Sequence, residues 1–377
     1  MKNAFLIICV LSFLSYSCSM DKKVAFDNTI GIDLKGYIEF PLDSVTKRNA
    51  RIMHYSESLN SLVLFNDINH TLYFFEVDSQ KNYKKIKLNK EGPNGISSVD
   101  DIYVHTKDSI FIYNGKSHRL NLFNYDGNVQ ARFPLFDLTS DDPTHTSSPS
   151  FLNSFINKEF YLLIRATTGT SKMKDKALMV YSLNTSNKSY HIDLPKSYYS
   201  SYWAEKSYNR SGILNREAGK FIVSYPFDKS LFVLDLQTNK VEVFDGSSQL
   251  MHKTKPIEDK RTTNMQDRII YQMTNSWYSE LFYDKYRNLY LRSASIGRDI
   301  EYGEPTNLRY LSNNKDDIYT VTVVLDENFN KIAEFPNLYF NRCIFSTEKG
   351  LFFLDNSHDP DNEDILTFAH YELKEGN

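Results

Sequence analysis

Apolar residues along this chain fall into short runs separated by polar clusters rich in Asn, Asp, Lys and Ser, and residues 59–95 show the rhythm best. Within them, 61–65, 71–77 and 84–88 read as three strands. The breaks fall at Asn66-Asp67-Ile68-Asn69-His70 and Asp78-Ser79-Gln80-Lys81-Asn82, and Gly92-Pro93-Asn94-Gly95 closes the unit. Short β-rich runs punctuated by turn formers mark an antiparallel meander, and no helical period competes with it.

The unit recurs. An apolar residue followed five positions later by Val, Leu or Tyr and then by a polar turn residue occurs at Leu72, Leu120, Leu178, Leu231 and Leu366, with Thr320 as a variant, at intervals of 48, 58, 53, 89 and 46 residues. A strand precedes each marker, and a further strand follows five of them, at 84–88, 129–135, 189–195, 240–244 and 331–336. This is the spacing of four-stranded propeller blades, with an insertion in the one long interval. The sixth unit runs out without its last strand, whereas Tyr37-Ile38-Glu39-Phe40-Pro41 near the start matches Ile332-Ala333-Glu334-Phe335-Pro336. The expected fold is therefore all-β, a six-bladed β-propeller in which the N-terminal strand closes the last blade and covers its open edge. Three regions depart from the cadence: a polar loop at 137–150, and insertions at 196–212 and 247–278. In the last, Met265, Ile269 and Met273 stand four apart, which predicts one short helix over 264–274.

Composition agrees with this picture. A chain of 377 residues suits one large all-β domain, and 26 Tyr with 26 Phe against 14 Gly is a strand-forming palette. A formal net charge of −3 carries no basic excess, which argues against a nucleic-acid partner. At the start, Lys2, the apolar run 4–14 and Ser15-Tyr16-Ser17-Cys18 form a secretory signal that ends in a lipobox-like cysteine. Cleavage before Cys18 would leave a lipidated N-terminus, so the expected organisation is signal peptide 1–17, lipidated tether 18–30 and propeller 31–377. The expected location is the outer membrane, with the periplasmic face favoured because no acidic run follows Cys18. With Cys9 removed and Cys18 acylated, Cys343 stands alone, so no intramolecular disulfide is expected and a monomer must be held by its core.

The lipobox-like Cys18, the Lys90-Glu91-Gly92-Pro93-Asn94-Gly95 link and the blade cadence resemble the six-bladed β-propeller lipoproteins of Bacteroidetes. These are of the TolB-like kind, some known only as a domain of unknown function (DUF4221-like). The resemblance covers nearly all of the mature chain. It implies the propeller fold and envelope anchoring, and no established reaction or catalytic residues.

Propeller function usually sits at a mouth of the central channel. The innermost strands should begin near 51–54, 100–102, 151–155, 213–216, 277–281 and 341–345, which brings Arg51, His54, Arg216 and Arg342 toward the axis. The insertions add Tyr199, Tyr202, Trp203, Tyr208, Arg210 and Trp277 as ligand-binding candidates, because flat aromatic faces with polar edges suit sugar rings and partner proteins. The same aromatics would equally serve to pack the insertions onto the propeller. The favoured function is a non-catalytic binding or scaffold lipoprotein for a glycan, peptide or envelope partner, with no cofactor. The alternative is a lactonase-like hydrolase or lyase with axial calcium held by the oxygen ligands Asp101, Asn153, Asn215 and Glu280. The acidic run 358–364 reads as a hairpin loop more readily than as a second metal site. No GxSxG, HExxH, CxxC or Walker-type glycine loop is present.

Overall fold

In the computed structural model the described residues are 28–48, 50, 52–136, 145–146, 154–165, 176–200, 203, 210–251, 254–257, 265–298, 319–338, 340, 344–355, 357–359 and 361–375. They form six antiparallel sheets, one per blade. From the axis outward, blade 1 is Met53–Ser56, Ser61–Asn66, Thr71–Glu76 and Asn82–Lys87, and blade 2 is Asp101–Thr106, Ser109–Asn114, Arg119–Phe123 and Val129–Pro134. Blade 4 is Ser211–Asn215, Lys220–Ser224, Ser230–Asp235 and Val241–Asp245, and blade 5 is Trp277–Asp284, Leu289–Ser295, Thr320–Leu325 and Lys331–Pro336.

Blade 6 has Ile344–Thr347, Gly350–Leu354 and Ile365–Glu375, and its outermost strand is the N-terminal Ile30–Pro41. That strand runs antiparallel to the last one, from Ile30 opposite Glu375 to Pro41 opposite Ile365, with a register shift between Leu34 and Gly36. The ring is thus closed by the strand the sequence pattern had assigned to the task. Just before it, the Asn28 side chain brackets the backbone of Glu334, donating to its carbonyl and accepting from its N–H, so the entering chain is pinned to the edge of blade 5.

Blade 3 differs from the others. Glu159–Arg165, Lys176–Ser182 and Lys188–Asp193 follow the common plan, but the innermost position is divided. Phe155–Ile156 pairs with the start of Glu159–Arg165, whereas His145–Thr146, entering from the 137–150 loop, pairs with its end. Two-residue strands carry no periodicity of their own, which is why the pattern alone shows no strand at 145–146.

The core is a ring of layers between blades, because each sheet is covered on both faces by its neighbours. Leu62, Leu64 and Phe75 of blade 1 meet Phe40, Phe352 and Phe368 of blade 6, while Val63, Phe65 and Phe74 on the opposite face meet Ile102, Ile110 and Phe123 of blade 2. Burial on both faces explains why the second strands read as continuous apolar runs, whereas the outer strand Val129–Pro134 alternates between half-buried and exposed. Polar residues at or just before the marker turns cap them. In the last hairpins of blades 2, 4 and 5, Asn124, Asp235 and Asp326 accept backbone N–H bonds two to four residues ahead.

Two arginines hold loops by the same device. Arg48 is buried, and its guanidinium donates to the carbonyls of Asp355, His358, Asp359 and Asn362. The inward oxygens of the acidic 358–364 hairpin therefore already surround a cation. Arg292, fully buried, makes five hydrogen bonds, to the Ser224 hydroxyl and to the carbonyls of Tyr225, Asp228, Lys229 and Gly246, and so ties blade 5 to the loops of blade 4.

Candidate functional site

The inner strands of blades 1, 2, 4, 5 and 6 enclose an axial cavity of about 460 Å³. Met53, His54, Tyr55, Glu57 and Ser58 come from blade 1, and Tyr103, Val104, His105 and Thr106 from blade 2. Ser211 to Leu214 with Arg216 and Glu217 come from blade 4, Glu280 to Tyr283 with Lys285 from blade 5, and Ile344 to Ser346 from blade 6. Glu57, Ser58, Thr106, Arg216, Glu217 and Lys285 lie at or just past the ends of the inner strands, where each turns into the second strand. The cavity therefore extends to the mouth formed by these short turns. The inner strands of blades 4 and 5 begin at Ser211 and Trp277, at the end of the axis away from these turns.

The wall at blades 2 and 4 is built around Tyr103. Its ring lies 5.0 Å from that of His54 and 6.2 Å from that of His105, the latter nearly parallel at 18°. His105 also meets Phe155 of blade 3 edge-on at 5.2 Å. Arg216 reaches across blade 3 to this wall: Nη2 donates to the Tyr103 hydroxyl at 2.7 Å and Nε to the Phe155 carbonyl at 3.2 Å. Burial raises the Tyr103 pKa, an effect the Arg216 charge opposes. Burial lowers the His105 pKa and Arg216 lowers it further, so the imidazole is neutral at pH 7. On the opposite wall Lys285 forms an ion pair with Glu57 at 2.9 Å. Burial opposes the Lys285 charge, and the Glu57 carboxylate outweighs it, raising the ammonium pKa.

Of the residues expected at the axis from sequence, His54, Arg216 and Glu280 line the cavity. Asp101 and Asn215 do not. Both are buried: an oxygen of Asp101 accepts the N–H of Ile102, and Asn215 donates to Tyr290 at 2.7 Å and accepts the Ala218 N–H at 3.0 Å, which makes it a turn cap. Of the oxygen ligands expected for calcium, Asp101 and Asn215 therefore stand outside the cavity lining that holds Glu280, and Asn153 lies outside the described residues. Among the described residues no group of three or more His, Cys, Asp or Glu is placed to hold a metal ion.

The insertion aromatics pack inward where they are described. The Trp203 ring is buried, stacked 4.9 Å from Phe227 at 17°, with its indole N–H donating to the Ser197 carbonyl at 3.0 Å. Arg210 is buried too, donating to the Ile164 carbonyl with its guanidinium 5.6 Å from the Tyr225 ring centroid. Trp277 is half-buried and opens the inner strand of blade 5 opposite Ser295. The helix Met265–Thr274 occupies the place its apolar spacing predicts. Cys18, Arg51, Asn153, Tyr202, Tyr208, Arg342, Cys343 and the side chain of Tyr199 lie outside the described residues.

A family profile described as a domain of unknown function, DUF4221, matches residues 29–336. The chain belongs to the DUF4221 family. A DUF4221 member from Bacteroides vulgatus superimposes with a TM-score of 0.73 at 20% identity, covering 93% of this chain and 100% of that one. A putative exported protein from Bacteroides fragilis gives 0.57 at 12% identity, covering 94% and 98%. These likenesses extend the propeller to the family and carry no activity with them. No curated protein matches the chain.

Within this DUF4221 propeller, Tyr103, His105, Glu57, Glu217 and Lys285 are the cavity residues the sequence pattern did not single out. For His105, Glu57, Glu217 and Lys285 the signal was positional, because each stands near the end of an inner strand or in the tight turn after it, whereas the expected site was sought at strand starts; Tyr103 stands within its strand and reads there as an ordinary core aromatic.

Proposed function

We propose that this protein is a non-catalytic binding or scaffold lipoprotein, anchored through Cys18 to the outer membrane and facing the periplasm, that holds a small glycan or peptide in its axial cavity. The observation that carries the reading is the convergence of His54, Tyr103, His105, Arg216 and Glu280 from four blades on one concave space of about 460 Å³. Binding sites are typically concave, with aromatic or apolar walls and a few placed polar groups, and cavities of this size take a ligand of one to a few residues or rings. The lipobox-like Cys18 after an apolar segment supports the anchoring.

Thermal unfolding of a soluble form beginning at Ser19, against panels of oligosaccharides and short peptides, tests the binding. A ligand at a hundred times its dissociation constant adds about 2.7 kcal/mol, enough for a shift of a few degrees. A shift that His54→Ala and Tyr103→Ala abolish supports the cavity; a shift that both leave intact places binding elsewhere. Loss of fatty-acid labelling in Cys18→Ala tests the anchor separately.

A further inference from the structure

Arg216 is held from two sides and left open on a third. Its Nε and one Nη2 hydrogen are committed to Phe155 and Tyr103, which fixes the plane of the guanidinium, while Nη1 makes no hydrogen bond among the described residues and the side chain is exposed along the cavity. Beside it the His105 ring is kept in place by Tyr103 and Phe155 through ring contacts alone. The remaining charges divide the space. Lys285 and Glu57 satisfy one another across the ring, so among the described residues lining the cavity Arg216 carries the open cation, and Glu217 and Glu280 add carboxylates to the wall.

A guanidinium oriented by its own protein contacts, with free N–H donors in a concave site, matches a carboxylate in geometry as well as in charge, because two parallel N–H groups meet two oxygens. Carboxylates elsewhere on the wall favour hydroxyl or ammonium donors on the rest of the ligand. We propose that the cavity selects a small carboxylate-bearing ligand, with the carboxylate at the open Nη1–Nη2 edge of Arg216 and the imidazole of His105 beside it. This deepens the binding function proposed above and rests on it. Two sources supply that chemistry in a cell envelope, an acidic saccharide and the free C-terminus of a short peptide.

The test uses matched pairs differing only in the charge: digalacturonic acid against its methyl ester, and Gly-Gly-Ala against its C-terminal amide, titrated calorimetrically into the soluble propeller. Charge-assisted hydrogen bonds of this kind correspond to roughly a tenfold to hundredfold preference for the acid. The pair that shows it identifies the source. Arg216→Gln should remove the preference and Arg216→Lys should keep part of it, with unchanged unfolding temperatures certifying that both variants are folded. Equal binding of acid and neutral partners would overturn the carboxylate inference and leave the binding function standing. Failure of every acid and every neutral partner to bind would overturn both. A preference for the acid that persists in folded Arg216→Gln would move the carboxylate away from Arg216.

Discussion

The Arg292 guanidinium lies 3.3 Å from the centroid of the Tyr278 ring, inside blade 5, with no carboxylate bonded to it. Its five hydrogen bonds run to four carbonyls and a hydroxyl, and burial lowers its pKa to about 10, so it stays charged at neutral pH. The aromatic face and the carbonyl dipoles take the place of a counter-ion. A longer-range field from Asp228 and Asp245 assists them.

Replacing it tests the joint between blades 4 and 5. Arg292→Met removes the donors to four carbonyls; those of Tyr225 and Lys229 keep the N–H groups of Asp228 and Gly246, whereas those of Asp228 and Gly246 lose the guanidinium, at about 1–3 kcal/mol for each left buried without a partner. Urea unfolding should show a loss of several kcal/mol. A neutral outcome would mean that the loops of blade 4 find other donors.

The closing strand is equally exposed to test. Phe40 is fully buried between Phe75 at 5.7 Å and Phe368 at 5.8 Å, which are contributed by blades 1 and 6. Phe40→Ala should cost about 3–5 kcal/mol in chemical denaturation. Removing residues 28–41 altogether should uncover the edge of Ile365–Glu375 and produce oligomers on size exclusion. A truncated chain that remained monomeric and as stable as the parent would contradict the closure.

The link between blades 1 and 2 depends on one missing methyl group. A Cβ on Gly95 would come within 2.5 Å of the Glu91 backbone, while Arg132 fixes the same link by donating to the Pro93 and Gly95 carbonyls at 2.7 and 3.1 Å. Gly95→Ala should destabilise by about 1–3 kcal/mol. Gly31→Ala, where the space is open, is the control expected to change little.

Acid should weaken the fold before any carboxylate titrates. His70 is buried, with Nε2 2.8 Å from the Ile96 carbonyl. Burial lowers its pKa, with Lys90 and Lys87 adding to the effect, and burial lowers those of His105 and His191 as well. The folded state therefore binds fewer protons than the unfolded chain, so the stability these groups confer is complete above the unfolded value of about 6.5 and is lost as pH falls below it. The urea midpoint should drop between pH 7 and pH 5, and less steeply in His70→Gln. A midpoint that rises on acidification would reverse the sign.

How much of this was legible in the sequence differs by level. Blade cadence was legible because a strand covered on both faces, such as Ser61–Asn66, must be apolar throughout. Closure was legible because Tyr37-Ile38-Glu39-Phe40-Pro41 and Ile332-Ala333-Glu334-Phe335-Pro336 both serve as the outermost strand of a blade. His54, Arg216 and Glu280 were found because the blade cadence places the inner strands, and charged or imidazole side chains on or beside those strands face the axis. Asn215 has the same chemistry and nearly the same address, yet its amide is spent on Tyr290 and a turn, and only the fold separates those two uses. Trp203 shows the same ambiguity for aromatics: an exposed-looking loop residue that stacks on Phe227 cannot be told by type from one that faces a ligand.

The most direct test of the central claim, that the axial cavity is the binding site, is a pair of binding isotherms for the panel ligand giving the largest thermal shift. They would be measured on the parent protein and on a folded His105→Ala, Arg216→Ala double variant at the cavity wall. A loss of affinity of tenfold or more, roughly 1.4 kcal/mol, is predicted. Unchanged affinity in the double variant, with loss on altering Trp277 at the other mouth, would contradict it.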